Sequence, residues 1–319
     1  MKPGPIIACL WLLLAPVPAL SFPVHWDPEE FNGFDVNGGL IDPVDIYPAG
    51  VPRDGIPAIN APQFLAGPAR NGALNAGDRV LAISYNGVAK AYPIRILDYH
   101  EIVNDVFNGK PVAITFCPLC GTGMAFGADV EGERLVLGVS GLLYNSDALF
   151  YDQATGSLWS QIMMTAVTGP RMGRKLIQLP TRQTTWGAWL HDHPDSLLLS
   201  TDTGHQRDYS VDAYEMYRRT PAVMFPTTHQ DMRIPARHWV VGIVIGDEAI
   251  ALPFEQLDRV DSDLELTLGD KPLRVHWDRE SSSARVVDGE GREIPSTAAY
   301  WFAWVAFHPD TGLYIAPQD

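Results

Sequence analysis

Apolar and polar residues alternate in short runs along most of the chain, the period of a strand with one buried face, while long 3.6-residue periods are scarce. The run Val80-Leu81-Ala82-Ile83-Ser84-Tyr85, an Asn86-Gly87 pair and the stretch 88–93 predict a β-hairpin. Asn-Gly supplies the two positive-φ residues that the favoured two-residue turn requires. The pattern returns at a constant offset from Val80 to Val240 and from Pro93 to Pro253, with Gly246-Asp247 at the turn. GKPVAITFC (109–117) is echoed by DKPLRVHWD (270–278), and TWGAWLHDHPDSLLL (185–199) by YWFAWVAFHPDTGLY (300–314). Each copy therefore reads hairpin, Lys-Pro strand, Trp-x-x-Trp segment and His-Pro-Asp turn. The windows 94–106 and 184–191 predict short helices. The whole predicts a mainly-β (β-rich α+β) chain of two related halves, the second degenerate, without a parallel βαβ series.

The repeat sets the organisation: a leader at 1–21, a Pro/Gly-rich arm at 22–78, an elaborated first repeat at 79–235 and a degenerate second repeat at 236–319. In the leader, Lys2, an apolar run from Ile6 to Ala15 and small residues at Ala19 and Ser21 read as a secretory signal peptide. Pro16 and Pro18 break the run well short of a membrane span, and no later stretch is long and apolar enough to supply one. The expectation is an exported protein, periplasmic or extracellular. A formal charge of −15 argues against nucleic acid as a partner. Of the three cysteines, Cys9 lies in the leader, which leaves Cys117 and Cys120. One such short loop staples almost nothing, so these thiols serve local chemistry.

Comparing the copies separates scaffold from chemistry. His193 and His308 occupy the same place in the repeated turn and read as braces for it, and the Trp pairs 186/189 and 301/304 read as core. Cys117, by contrast, falls opposite Asp278, and His100 opposite Val260. The first copy is also longer between its hairpin and its His-Pro-Asp turn. The excess holds CPLC, SGLLYNSD (140–147) and GSLWSQ (156–161).

Three readings of Cys117-Pro118-Leu119-Cys120-Gly121 stand side by side. As a metal knuckle, Pro118 fixes φ, Gly121 lets the chain fold back, and both sulfurs face one ion. Two ligands do not fill a site. His100, just upstream, is the candidate third ligand, and Met124 a weaker further one. Thiolate, imidazole and thioether form a soft set that favours copper, with zinc as the alternative. As a redox dithiol, the pair lacks the helix N-terminus that activates such thiols, because Gly-Thr-Gly follows. As a small disulfide, it leaves the surrounding polar cluster unexplained. Tyr144, Asn145, Ser146 and Asp147 read as second-shell or substrate-facing groups, or as a plain Asx turn. Asp54, in the arm, reads as a residue that closes over the site.

Taken together, RDGIPAI (53–59), AYPIRIL (91–97), HEIVND (100–105), TFCPLCGTGMAF (115–126), SGLLYNSDALFYD (140–152), TGSLWSQ (155–161) and HPDS (193–196) resemble the bacterial family catalogued as domain of unknown function 3179. The resemblance implies that CPLCG and HEIVND belong to one site, and it supplies no substrate. The expected function is an exported protein with a mononuclear Cys-Cys-His metal site. It would act as a metal-dependent oxidoreductase on a small molecule or as a delivery protein served by a metal donor, with thiol–disulfide chemistry as the alternative.

Overall fold

The computed structural model describes residues 26–317 apart from Ser262, so the leader at 1–21 lies outside the described residues. Strand makes up 38% of the described residues and helix 14%, in small sheets with a β-propeller-like arrangement. This is the mainly-β class that the alternation predicts.

The two predicted hairpins form in the same register. Arg79–Tyr85 and Val88–Pro93 pair Val80 with Pro93 and Tyr85 with Val88. Trp239–Ile245 and Glu248–Pro253 pair Val240 with Pro253 and Ile245 with Glu248. Each hairpin then takes an antiparallel strand on one edge, Arg182–Thr185 or Thr297–Tyr300. On the other edge each takes a parallel strand: Leu197 sits beside Lys90, and Gly312 beside Ile250. The Lys-Pro strands match as well, with Cys117 opposite Thr122 in one copy and Asp278 opposite Ser283 in the other.

The His-Pro-Asp corners are equally alike. Trp189 Nε1 donates to Ser196 Oγ at 2.8 Å, and Trp304 Nε1 to Thr311 Oγ1 at 3.0 Å. The rings of His193 and His308 lie on these indoles at 3.9 and 4.1 Å between centroids. Both histidines therefore brace a corner, as the repeat suggests. His193→Ala and His308→Ala should each lower stability by about 0.5–1.5 kcal/mol, the worth of a packed ring pair. Urea unfolding measures this, and metal content measured alongside should stay unchanged.

One predicted window divides. Ile94–His100 is helical, but Glu101 takes φ 55 and closes the helix with a bond from its N–H to Leu97 O. From Ile102 the chain is a strand, Ile102–Phe107, paired with Lys110–Cys117. The β-branched Ile102 and Val103 gain more from that pairing than from a further helical turn.

The arm runs along the strand Leu137–Tyr144, with Ile46–Pro48 paired to Leu142–Tyr144. Gly141 makes the close approach possible: its φ is 74, and a Cβ there would lie 2.2 Å from Val51 O. The largest apolar cluster holds Cys117, Cys120 and Met124 together with Tyr300, Phe302 and Ala303, so the second half packs directly on the cysteine strand. No helix among the described residues is long and apolar enough to cross a membrane.

Candidate metal centre

Lys110–Cys117 and Thr122–Gly127 run antiparallel, and Pro118 to Gly121 joins them. Gly121 has φ +67, and an added Cβ would meet the Trp239 ring at 2.4 Å, so the turn tolerates no side chain at this position. Carbonyls of the turn are clamped from three directions. Tyr217 Oη donates to Leu119 O at 2.7 Å, Tyr300 N to Cys120 O at 2.9 Å, and Gln183 Nε2 to Gly121 O at 2.8 Å. Two of the three donors lie in the first repeat and one in the second.

A second turn faces the thiols. Leu137–Tyr144 and Asp147–Asp152 form a hairpin whose central residues, Asn145 and Ser146, have φ 53 and 64. Those values suit the tight two-residue turn, and Asn tolerates them better than most residues. Asn145 pins the turn to the second half and to the loop before it: Nδ2 donates to Ala306 O at 3.2 Å, and Oδ1 accepts from Thr228 N at 2.7 Å. Cys120 Sγ lies 3.2 Å from Ser146 O, and Cys117 Sγ 3.9 Å. The next residue, Asp147, completes the group. One ligating atom from each of Cys117, Cys120 and Asp147 lies within 4.8 Å of the other two, all three residues being buried.

His100 is not the third member, which corrects the sequence expectation. Its Nδ1 sits 2.7 Å from Pro57 O and its Nε2 2.7 Å from Tyr209 Oη, so both ring nitrogens are committed elsewhere. Burial lowers its pKa to about 4 and keeps the ring neutral. Asp147, read from sequence as a second-shell or substrate-facing group, takes the third place instead. Met124 is buried in the cysteine cluster and lines a cavity of about 320 Å³ with Ile162, Met164, Trp304 and His308. Tyr144 stacks edge-on against Phe307 at 5.7 Å. Asp54 accepts a bond from Tyr151 Oη at 2.7 Å, and its side chain is half exposed, so it braces the arm rather than joining the thiols.

The electrostatics of the group point one way. Burial pushes Asp147 up to about 7, against the N–H groups of Ile162 and Ala148 and the two thiols, which draw it down. Glu101 is pushed to about 8, first by burial and then by the charges of Asp147 and Asp98. Asp98 rises to about 6 by burial although Arg218 bonds it at 2.6 Å. Burial also raises both thiols, Cys120 well above its ordinary value. A redox-active cysteine needs the opposite shift, toward thiolate, so the dithiol reading has no electrostatic support. Burial keeps these acidic groups toward their neutral forms, and a cation placed among them would favour ionisation.

Glu101 and Gln161 lie in the neighbourhood without having been singled out from sequence. Each sits in a segment that the repeat or the resemblance had marked, HEIVND and GSLWSQ, but nothing in the local pattern ranks them above their neighbours.

A family model described as "Protein of unknown function (DUF3179)" matches residues 53–311. No curated protein and no solved structure gives a match.

Proposed function

The chain belongs to the DUF3179 family, and we propose that it is a metal-binding protein whose centre is formed by Cys117, Cys120 and Asp147. One observation carries this reading: two thiols and a carboxylate converge to within 4.8 Å in the interior, and among the described residues Asp147 Oδ1 has no well-formed hydrogen bond, only the nearby thiols and the Ala148 N–H. A buried carboxylate oxygen so weakly hydrogen-bonded is costly, and a cation bound between it and the sulfurs would remove that cost. The donor set also bears on the metal. Copper suits a thiolate, imidazole and thioether set, but a carboxylate in the third place is harder than imidazole, and the Cys-Cys-Asp set matches zinc. The leader-like residues 1–21 support loading outside the cytoplasm, where a small molecule or a metal-donor protein would meet the site.

Elemental analysis of the protein purified without a metal-affinity tag tests the reading. About one zinc or copper per chain is expected, and Cys117→Ser should reduce it to background while circular dichroism stays that of the parent. A parent protein that neither retains nor takes up a stoichiometric transition metal would sink the proposal.

A further inference from the structure

Two more buried polar atoms have no partner among the described residues: Ser146 Oγ, on the residue whose carbonyl meets the thiols, and Gln161 Oε1. Both residues are fully buried, with relative exposure of 0%. The hydrogen-bond chain around Gln161 fixes which way its amide points. Thr115 Oγ1 donates to Met124 O at 3.2 Å, so it must accept from Gln161 Nε2, which lies 2.8 Å away. The same Nε2 lies 3.3 Å from Thr122 O, which can only accept. The amide nitrogen is thereby held against Thr115 and Thr122, and Oε1 is left as a pure acceptor. Thr122 is the cross-strand partner of Cys117, and Gln161 N reaches Ala148 O, next to Asp147, at 3.4 Å. Ile162, the following residue, donates its N–H to Asp147 Oδ2 at 3.1 Å and leaves Oδ1 as the oxygen available to a metal.

Gln161 therefore has a free acceptor, and Ser146 a free hydroxyl, on residues that adjoin the Cys117, Cys120 and Asp147 group, which supplies three candidate ligands. An acceptor buried beside a metal asks for a ligand that brings its own proton. We propose that the centre keeps a fourth, exchangeable position for a small O–H ligand, water when no substrate is present. The ligand is held by a hydrogen bond to Gln161 Oε1 and by Ser146 Oγ. A structural site closes with four protein ligands, whereas three protein ligands plus water is the arrangement of catalytic sites. The inference rests on the metal-centre reading and separates its two forms, favouring a centre that binds a substrate over one that only stores or passes on metal. Gln161 acts here through the bound ligand and is a positioning residue.

The test uses the full chain loaded with Co²⁺, whose electron paramagnetic resonance lines broaden when water enriched in ¹⁷O is directly bound. The parent protein should take up about one Co²⁺ per chain and show the broadening. Gln161→Leu should keep the metal and lose the broadening, and Gln161→Glu, which restores an acceptor, should recover it. Stoichiometric Co²⁺ without broadening in the parent would overturn the fourth position while leaving the Cys117, Cys120 and Asp147 centre standing. Broadening that persists unchanged in Gln161→Leu would remove Gln161 from the role. Failure of the parent to bind Co²⁺ at all would overturn both this inference and the reading beneath it. The parent measurement decides the main point even if the leucine variant does not fold.

Discussion

Asp147→Asn is expected to weaken metal binding by at least about 100-fold, since loss of mere second-shell partners already costs 10- to 100-fold. The same substitution should stabilise the metal-free protein. Asp147 titrates near 7 in the fold against an ordinary 3.8. Its ionised form is thus disfavoured in the interior, by on the order of a few kcal/mol. Asparagine keeps the shape and the oxygen that accepts from Ile162 N–H, and it carries no charge. Below the ordinary carboxylate range the advantage vanishes, because the aspartate is then protonated in both states. It grows as pH rises and saturates above about 7, at a few kcal/mol. Chelator competition gives the affinity, and urea unfolding of the stripped protein gives the stability. A residue kept for packing would lose on both counts; a metal ligand loses on one and gains on the other. If the variant binds metal like the parent, Asp147 is not a ligand.

The second large effect is in the pH dependence of the unsubstituted chain. Glu101 titrates near 8 and Asp147 near 7 in the fold, both raised first by burial. As pH climbs from the ordinary carboxylate range, the unfolded chain gives up these protons first. The folded state then binds more protons than the unfolded one, so the slope of unfolding free energy against pH is negative. The metal-free protein should be most stable in mild acid and should lose several kcal/mol by about pH 8, where both groups ionise inside the fold. Asp98, near 6 and bonded to Arg218, adds a smaller loss of the same sign. Metal reverses the trend. Its ligands must shed protons to bind, so the stabilisation it confers grows across the same interval. Melting temperatures with and without zinc, taken across that range, should diverge as pH rises. Parallel curves would mean that the metal does not bind at the Cys117, Cys120 and Asp147 group.

Much of the architecture was legible because it is written twice. Val80–Pro93 and Val240–Pro253 carry the same alternation, and they fold in the same register. The Trp, His and Ser or Thr of each corner likewise reappear in matching hydrogen bonds and ring contacts. The cysteine pair was legible through its absence from the second copy. The third member of the buried group was not. His100 shares with the cysteines both nearness in sequence and absence from the second copy, but nearness along a chain of short strands says little about where a ring points. Its two nitrogens go to Pro57 O and Tyr209 Oη, groups that no spacing rule connects to it. Asp147 reaches the sulfurs because a different hairpin turns back over the CPLC turn, a matter of how two sheets stack. The boundary after His100 was missed for a similar reason. Helical spacing continues past it, but strand pairing with Lys110–Cys117 decides the outcome.

The parallel pairings at the hairpin edges have a consequence for how such a site could be accommodated at all. In the second half, Ile250 meets Gly312; in the first, Lys90 meets Leu197, and Cys117, Cys120 and Asp147 all lie within that longer excursion. Joining two points of a flexible chain costs entropy only as the logarithm of the length between them, about 0.6 kcal/mol for each doubling. The first excursion is less than twice the second, so enlarging it adds less than about 0.6 kcal/mol to the ordering cost of the sheet. The frame closes over the enlarged segment at almost the same entropic cost as over the short one. What the added residues must supply is therefore only their own packing, and strands already hydrogen-bonded to one another supply it locally.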